Sequence, residues 1–216
     1  MFLLPLNFFI KFTGVKIFNV TGSLVEGIGP YYTHAIGETI SIYHSTFGNI
    51  EFVVAAKNQD GYGFATLISK NIITKQNNVS VARNYSTSSV RTWLNGEFYN
   101  GFDNSFKPLI KQVKKTSRIE SSGSIVTEDY CWLLSLTEVG LTFGTVVEDG
   151  TLYSNIFTSD ASRIKTYNGQ ASSWLLRSSA PKSGGYDIDV NVYGNIGSNT
   201  SIGINYAPGI VVGMVV

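Results

Sequence analysis

The sequence predicts an α+β fold of antiparallel sheets with two short helices and long loops. Three observations carry that reading. Stretches such as Glu38–Tyr43 and Tyr186–Tyr193 alternate apolar and polar residues at the two-residue period of a half-buried strand. The stretch S-S-V-R-T-W-L-N-G-E-F-Y-N-G-F at Ser88–Phe102 instead places Val90, Leu94 and Phe98 four residues apart, with Trp93 beside them, as one face of a short helix does. Clusters of Gly, Asn and Ser separate these segments and mark turns. With 216 residues, 43% of them hydrophobic, the chain can bury a sizeable core.

Residues 1–35 alternate apolar clusters with Gly and Pro and are expected to form a β-rich arm for docking or assembly. Gly27, Gly29 and Pro30 mark its boundary with a domain at 36–216. Met1–Ile10 is apolar, but Lys11 closes the run well short of the ~20 residues a membrane span needs. It lacks a charged leader and a small-residue cleavage site, so it reads as a buried strand or a segment packed on a partner.

A meander follows, with strands at Glu38–Tyr43, Ile50–Ala56 and Gly63–Ser69. Lys57–Gly63 holds an Asp-Gly turn suited to a hairpin. Asn77–Ser89 is a polar loop. Ser88 or Ser89 caps the first helix, and Gly101 ends it by tolerating a left-handed conformation. Asn104 or Ser105 is expected to cap a second helix through Val113, presenting Lys107, Lys111, Lys114 and Lys115, then Arg118, as a solvated face or a patch for an anionic partner. Glu120–Thr127 reads as a loop, Tyr130–Leu136 as a buried strand and Thr137–Val139 as a helical turn. Gly140–Tyr167 shows no sustained period and reads as long connections. Gly194-Asn195 is a turn, and Gly209–Val216 is a final apolar strand, central or paired with the meander.

Charged residues make up only 14% of the chain, against roughly 25% in an average soluble protein. Asn, Ser, Thr, Gly and Tyr take their place, a composition familiar from β-rich proteins outside the cell or in virions. A net charge of +1 disfavours phosphate-driven nucleic-acid binding. The lone Cys131 excludes an internal disulfide and sits in an apolar strand. A nucleophile there would need a base, and the two histidines, His34 and His44, lie far earlier in the chain. Asp187 and Asp189 share a strand face, as a glycosidase pair could, or could offer oxygens to calcium with Asn191. Three groups on one flat face do not wrap an ion, and alternate acids on an exposed strand are more often solvated. No catalytic set, metal site or cofactor is therefore expected. Arg91, Trp93, Trp132, Trp174 and Arg177 combine large area with hydrogen-bond donors. They either form the core where helix meets sheet or, for Trp174 and Arg177, line a ligand pocket. The candidate ligand-binding set is Trp174, Arg177, Asp187 and Asp189.

Three ordered motifs carry a resemblance: V-R-T-W-L-N-G-E-F-Y at Val90–Tyr99, C-W-L-L-S-L-T-E-V at Cys131–Val139, and S-W-L-L-R-S at Ser173–Ser178. They are similar to the L-R-x-W-L-N-x-x-F-Y, F-L-L-S-L-x-E-V and W-W-L-R-S elements of a family of bacterial and phage domains with no assigned activity. That family resembles the C-type-lectin-like fold in the broad sense that includes the formylglycine-generating enzymes. Gly203–Pro208 departs from the family's closing G-V-R-P-A-L by lacking the arginine, which puts in doubt any pocket built around it. The resemblance covers residues 36–216. It implies a C-type-lectin-like domain without the cysteine pair and copper of the formylglycine-generating enzymes, since Cys131 stands alone. It also lacks the E-P-N or Q-P-D and W-N-D of calcium-dependent lectins.

The expectation is a non-enzymatic phage virion surface protein, on head or tail, acting in assembly and in contact with host glycan or protein. Expected partners are other virion proteins through residues 1–35, a host surface glycan or protein, and further copies of the chain; neither nucleic acid nor a membrane span is expected. The alternative is a bacterial cell-surface or secreted ligand-binding domain. Sequons at Asn19, Asn78, Asn84 and Asn199 would ordinarily be ignored in bacteria.

Overall fold

The computed structural model describes residues 29–76, 84–119, 123–143, 149–179, 187–199 and 207–216. Most of the expected arm, the sequons at Asn19 and Asn78, and Gly203–Tyr206 of the expected closing element lie outside them. In chain order the strands are β1 Thr39–His44, β2 Gly48–Lys57, β3 Ala65–Ser69 and β4 Thr74–Lys75. Helix α1, Ser89–Trp93, runs on through a π-helical turn at Leu94–Phe98. Then come β5 Val113–Arg118, β6 Ser124–Asp129 and β7 Cys131–Leu133, helix α2 Asp160–Arg163, and β8 Lys165–Tyr167 and β9 Gln170–Ser172. The chain closes with β10 Trp174–Ser179, β11 Asp187–Val190, β12 Ile196–Asn199, β13 Gly209–Ile210 and β14 Val212–Val215.

Among the described residues these strands build two five-stranded sheets, where a single sheet under one helix would have sufficed for the expected meander. The first has the order β1-β2-β3-β14-β7 and the second β12-β11-β10-β13-β4, with separate hairpins β5-β6 and β8-β9. The C-terminal strand does what the sequence predicted and more. β14 is central, between β3 and β7, while β13 sits in the second sheet, so one extended segment passing through Val211 belongs to both sheets.

The central strands of the first sheet, β3, β14 and β7, are buried on both faces. Leu67, Cys131, Leu133, Val212 and Met214 face the helix side, where Val90, Leu94 and Phe98 of α1 and its π-turn complete one core. Ile68, Trp132, Leu134 and Val215 face a second core shared with Trp174, Leu176, Ile188 and Val190 of the other sheet. A bulge in β2 between Val54 and Ala56 serves both cores. Phe52 and Val54 point to the helix side, and the extra residue turns Ala55 and Ala56 to the other.

Helix α1 starts as expected. The Ser88 hydroxyl accepts the Arg91 N–H at 3.3 Å, and Val90, Leu94 and Phe98 are buried. Its end differs in cause. Gly101 has no left-handed backbone; it is small because the His44 ring lies where a side chain would start, 2.1 Å from an added Cβ.

The second helix is not formed. Phe106 and Ile110, four apart and both buried, give a helical period over one turn, but the chain makes only a 3-10 turn at Lys107–Leu109. Pro108 lacks an amide donor and one turn cannot sustain itself, so the chain extends into β5 and pairs with β6. Within the expected loop at Glu120–Thr127, Ser124–Thr127 thus lies in β6, half of a hairpin. Lys115 and Arg118, placed by the sequence on a solvated face, are buried. Residues 140–143 and 149–167, the described part of the expected long connections, are mostly irregular, as expected, apart from α2 and β8. Residues 29–35 lie against the domain: Gly29 N–H donates to the Gly63 carbonyl at 2.7 Å, and Tyr31 packs on the helix-side core.

His44 shows how strongly the aromatic helix-side core constrains polarity. Its Nδ1 accepts the Thr46 N–H at 3.1 Å, so Nε2 carries the proton and donates to the Phe98 carbonyl at 2.8 Å. Phe47, Phe98 and Phe102 surround the ring. Burial pushes the imidazole below its ordinary 6.5, partly offset by the Phe98 carbonyl. The unfolded chain therefore takes up the proton first. Stability is expected to fall as pH drops below about 6.5, and the slope between about pH 7 and 5 to flatten in His44→Phe, measured by urea unfolding at each pH.

Candidate functional site

The β10-β11 pairing brings the four sequence-predicted ligand residues onto neighbouring strands, with Leu175 opposite Asp189 and Ser179 opposite Asp187. All four are inside. Trp174 and Arg177 are 0% exposed, and Asp187 and Asp189 are 3% and 2%. The expectation of solvated acids on an exposed strand is therefore corrected: β11 is covered on both faces, and both carboxylates have partners. Trp174 packs in the core between the sheets and donates its Nε1–H to the Arg163 carbonyl at 3.0 Å.

Arg177 is the hub of a buried ionic cluster. Its guanidinium donates to the carbonyls of Leu133 (2.8 Å), Thr116 (3.1 and 3.2 Å) and Asp149 (2.7 Å) and pairs with Glu138 Oε2. Glu138 Oε1 lies 2.6 Å from Lys115 Nζ, which in turn lies 2.8 Å from Asp60 Oδ1 and 4.2 Å above the Trp132 ring. Tyr153 OH bonds to Asp60 Oδ2 at 2.8 Å. Burial alone would raise the Glu138 carboxyl, but the Arg177 and Lys115 charges and their hydrogen bonds outweigh it and hold it at about 2. The neighbouring Asp149 accepts from Thr137 and from Ser178, whose hydroxyl oxygen also receives the Leu136 N–H at 2.8 Å.

The second and third sequence motifs thus meet through Glu138 and Arg177. The first motif has a similar inward use. Arg91 donates to Asp129 Oδ1 at 2.6 Å and to the carbonyls of Ser86 and Glu128. Asn95 donates to the Cys131 carbonyl at 3.0 Å and accepts the Tyr130 N–H at 2.7 Å. Together they clamp the corner between β6 and β7. Sequence reasoning missed Asp60, Lys115, Glu138 and Tyr153. Glu138 stood in a motif, but Lys115 sits in a strand without apolar alternation, so no periodic signal marked it.

Cys131 is buried in the helix-side core, where burial, and then Asp129, push its thiol up. His34 is paired with Glu38 at 2.7 Å on an exposed turn. Neither histidine is among its hydrogen-bond partners, and the three residues do not form a catalytic arrangement.

The concave surface lies elsewhere. A shallow depression of about 510 Å³ on the outer side of α1 is lined by Ser89, Thr92, Trp93, Gly96 and Glu97. Trp93 is half-buried there, edge-on to Phe47 at 6.2 Å and tilted against Phe98 at 5.2 Å. A second hollow of about 260 Å³ lies beyond the helix end, between Tyr43 and Asn104. Sequence reasoning had placed Trp93 on the packed face only.

Residues 63–214 match the DUF6273 family, described as a domain of unknown function. The chain belongs to this family. The matched DUF6273 region contains all three motifs and both partners of the Glu138–Arg177 pair, and it begins inside the β2-β3 loop. No curated protein and no solved structure matches the chain.

Proposed function

We propose that this DUF6273 chain is a non-enzymatic binding and assembly module of a phage virion surface, on head or tail, built on a C-type-lectin-like domain. The observation that carries the reading is the contrast between inside and outside. The motif residues with chemical potential are spent on internal pairs, Glu138 with Arg177 fully buried and the part-buried Arg91 with the buried Asp129. The accessible hollow beside α1 instead offers one aromatic ring, hydroxyls and a single carboxylate. An indole flanked by small polar groups suits the face of a sugar ring or a protein side chain. The low charge of the chain and its Tyr-, Asn- and Ser-rich composition fit contact with a host glycan or protein. Residues 1–35 serve docking to neighbouring virion proteins, and a homo-oligomer is the expected assembly. A bacterial cell-surface or secreted ligand-binding domain would use the same hollow.

Gly96 supplies a clean test. A Cβ there meets nothing within 4 Å, so Gly96→Arg fills the depression without disturbing the packing beneath it. The variant is expected to keep wild-type stability while losing at least ~10-fold in binding to peptidoglycan sacculi or lipopolysaccharide, read by co-sedimentation. Unchanged binding would remove the hollow from the reading. An antibody against the chain that fails to label purified phage particles would remove the virion.

A further inference from the structure

The buried cluster contains an arrangement that ion pairing alone does not use. Lys115 Nζ, on β5, and Asp60 Oδ1, in the β2-β3 loop, are in contact at 2.8 Å. Their side chains are 4% and 12% exposed. The Trp132 ring covers the amine. The second oxygen of Asp60, Oδ2, accepts from two hydroxyls, Thr66 Oγ1 at 2.7 Å and Tyr153 OH at 2.8 Å. Glu138 Oε1 touches the same amine at 2.6 Å, while Arg177 holds its other oxygen.

An amine and a carboxyl group held in contact and screened from water meet the conditions for condensation. Fixed contact removes the entropy of encounter. We infer that Lys115 and Asp60 become joined by a self-formed isopeptide bond, with Glu138 relaying protons and Thr66 and Tyr153 stabilising the oxyanion.

The Lys115 ammonium passes one proton through Glu138 to Asp60 Oδ1, and the freed amine lone pair attacks Cγ. Negative charge collects on Oδ2, between the two hydroxyl donors. Nζ then gives up a second proton by the same relay, Oδ1 leaves as water, and the Cγ–Oδ2 double bond re-forms. One N–C bond is made and one C–O bond broken. The ammonium and carboxylate charges cancel, and no oxidant or other reactant is needed. Burial and the nearby carboxylates of Glu138 and Asp60 keep the Tyr153 phenol well above its ordinary range, so it remains a donor throughout. The bond would tie the β2-β3 loop of the first sheet to the β5-β6 hairpin. The inference does not depend on which partner the outer surface meets.

Intact mass of the denatured wild-type chain tests this. Relative to Lys115→Arg, and after allowing for the substitution, the wild type is expected to be lighter by one water. Proteolysis is expected to yield a branched peptide joining the segments that contain Asp60 and Lys115. Glu138→Gln, checked for folding by circular dichroism, is expected to form the bond at least ~100-fold more slowly. A wild-type mass without the water loss overturns the inference. So does a loss found in a linear peptide at Asp60-Gly61, where the backbone amide of Gly61 can close a succinimide instead.

Discussion

Replacing Glu138 by Leu is expected to destabilise the fold by about 3–5 kcal/mol, because it leaves the Arg177 guanidinium buried without its ion-pair partner. Arg177 is fully enclosed, and its carbonyl contacts to Leu133, Thr116 and Asp149 supply hydrogen bonds but no counter-charge. Arg177→Met should cost less, because Glu138 Oε1 still lies 2.6 Å from the Lys115 ammonium. The double variant Glu138→Leu/Arg177→Met should recover much of the loss, since two apolar side chains avoid the desolvation that each single variant exposes. Urea midpoints of the four proteins measure the coupling. Additive losses would mean that the pair is not the hub. Acid titration gives an independent sign. The Glu138 carboxyl is held at about 2 in the fold, below its ordinary 4.5, so its contribution is complete above about pH 4.5 and lost as pH falls toward 2. That segment of the acid-unfolding curve should flatten in the double variant.

Local signals were legible where one period ruled. Ile40, Ile42 and His44 alternate inward along β1, and Val90, Leu94 and Phe98 recur along α1, because each of these elements buries one face. The reading failed where burial was two-sided or depended on distant partners. β11 carries Asp187 and Asp189 opposite apolar residues, a pattern identical to that of a solvated strand, yet all four of its residues are buried. β5 reads V-K-K-T-S-R, and nothing local indicates that Lys115 is buried; Glu138 and Asp60, which accommodate its charge, lie elsewhere in the chain. Phe106 and Ile110 gave a true helical spacing for one turn, and pairing with β6 then overrode it. Of the candidate site, the motifs pointed to the right residues, but spacing could not tell an inward arginine from an outward one.

Trp174 and Trp93 separate those two uses of a motif tryptophan. Trp174→Ala is expected to cost about 3–5 kcal/mol, the range for truncating a large enclosed aromatic side chain. The loss has two sources. The indole fills the core between the sheets with Leu176, Ile188 and Val190, beside the β13 strand that joins them. Its Nε1–H also satisfies the Arg163 carbonyl, which the truncation leaves without that donor. Trp174→Phe keeps most of the volume and loses the hydrogen bond, so it should fall between wild type and alanine. Trp174 has no exposed surface with which to meet a ligand, so any binding deficit in these variants should track their unfolded fraction and vanish when folded protein is compared at equal concentration. Gly96→Arg, next to Trp93, should show the reverse, losing binding at full stability. A Trp174→Ala protein with an unchanged urea midpoint and lost binding would place the ligand site between the sheets and move the working surface away from α1.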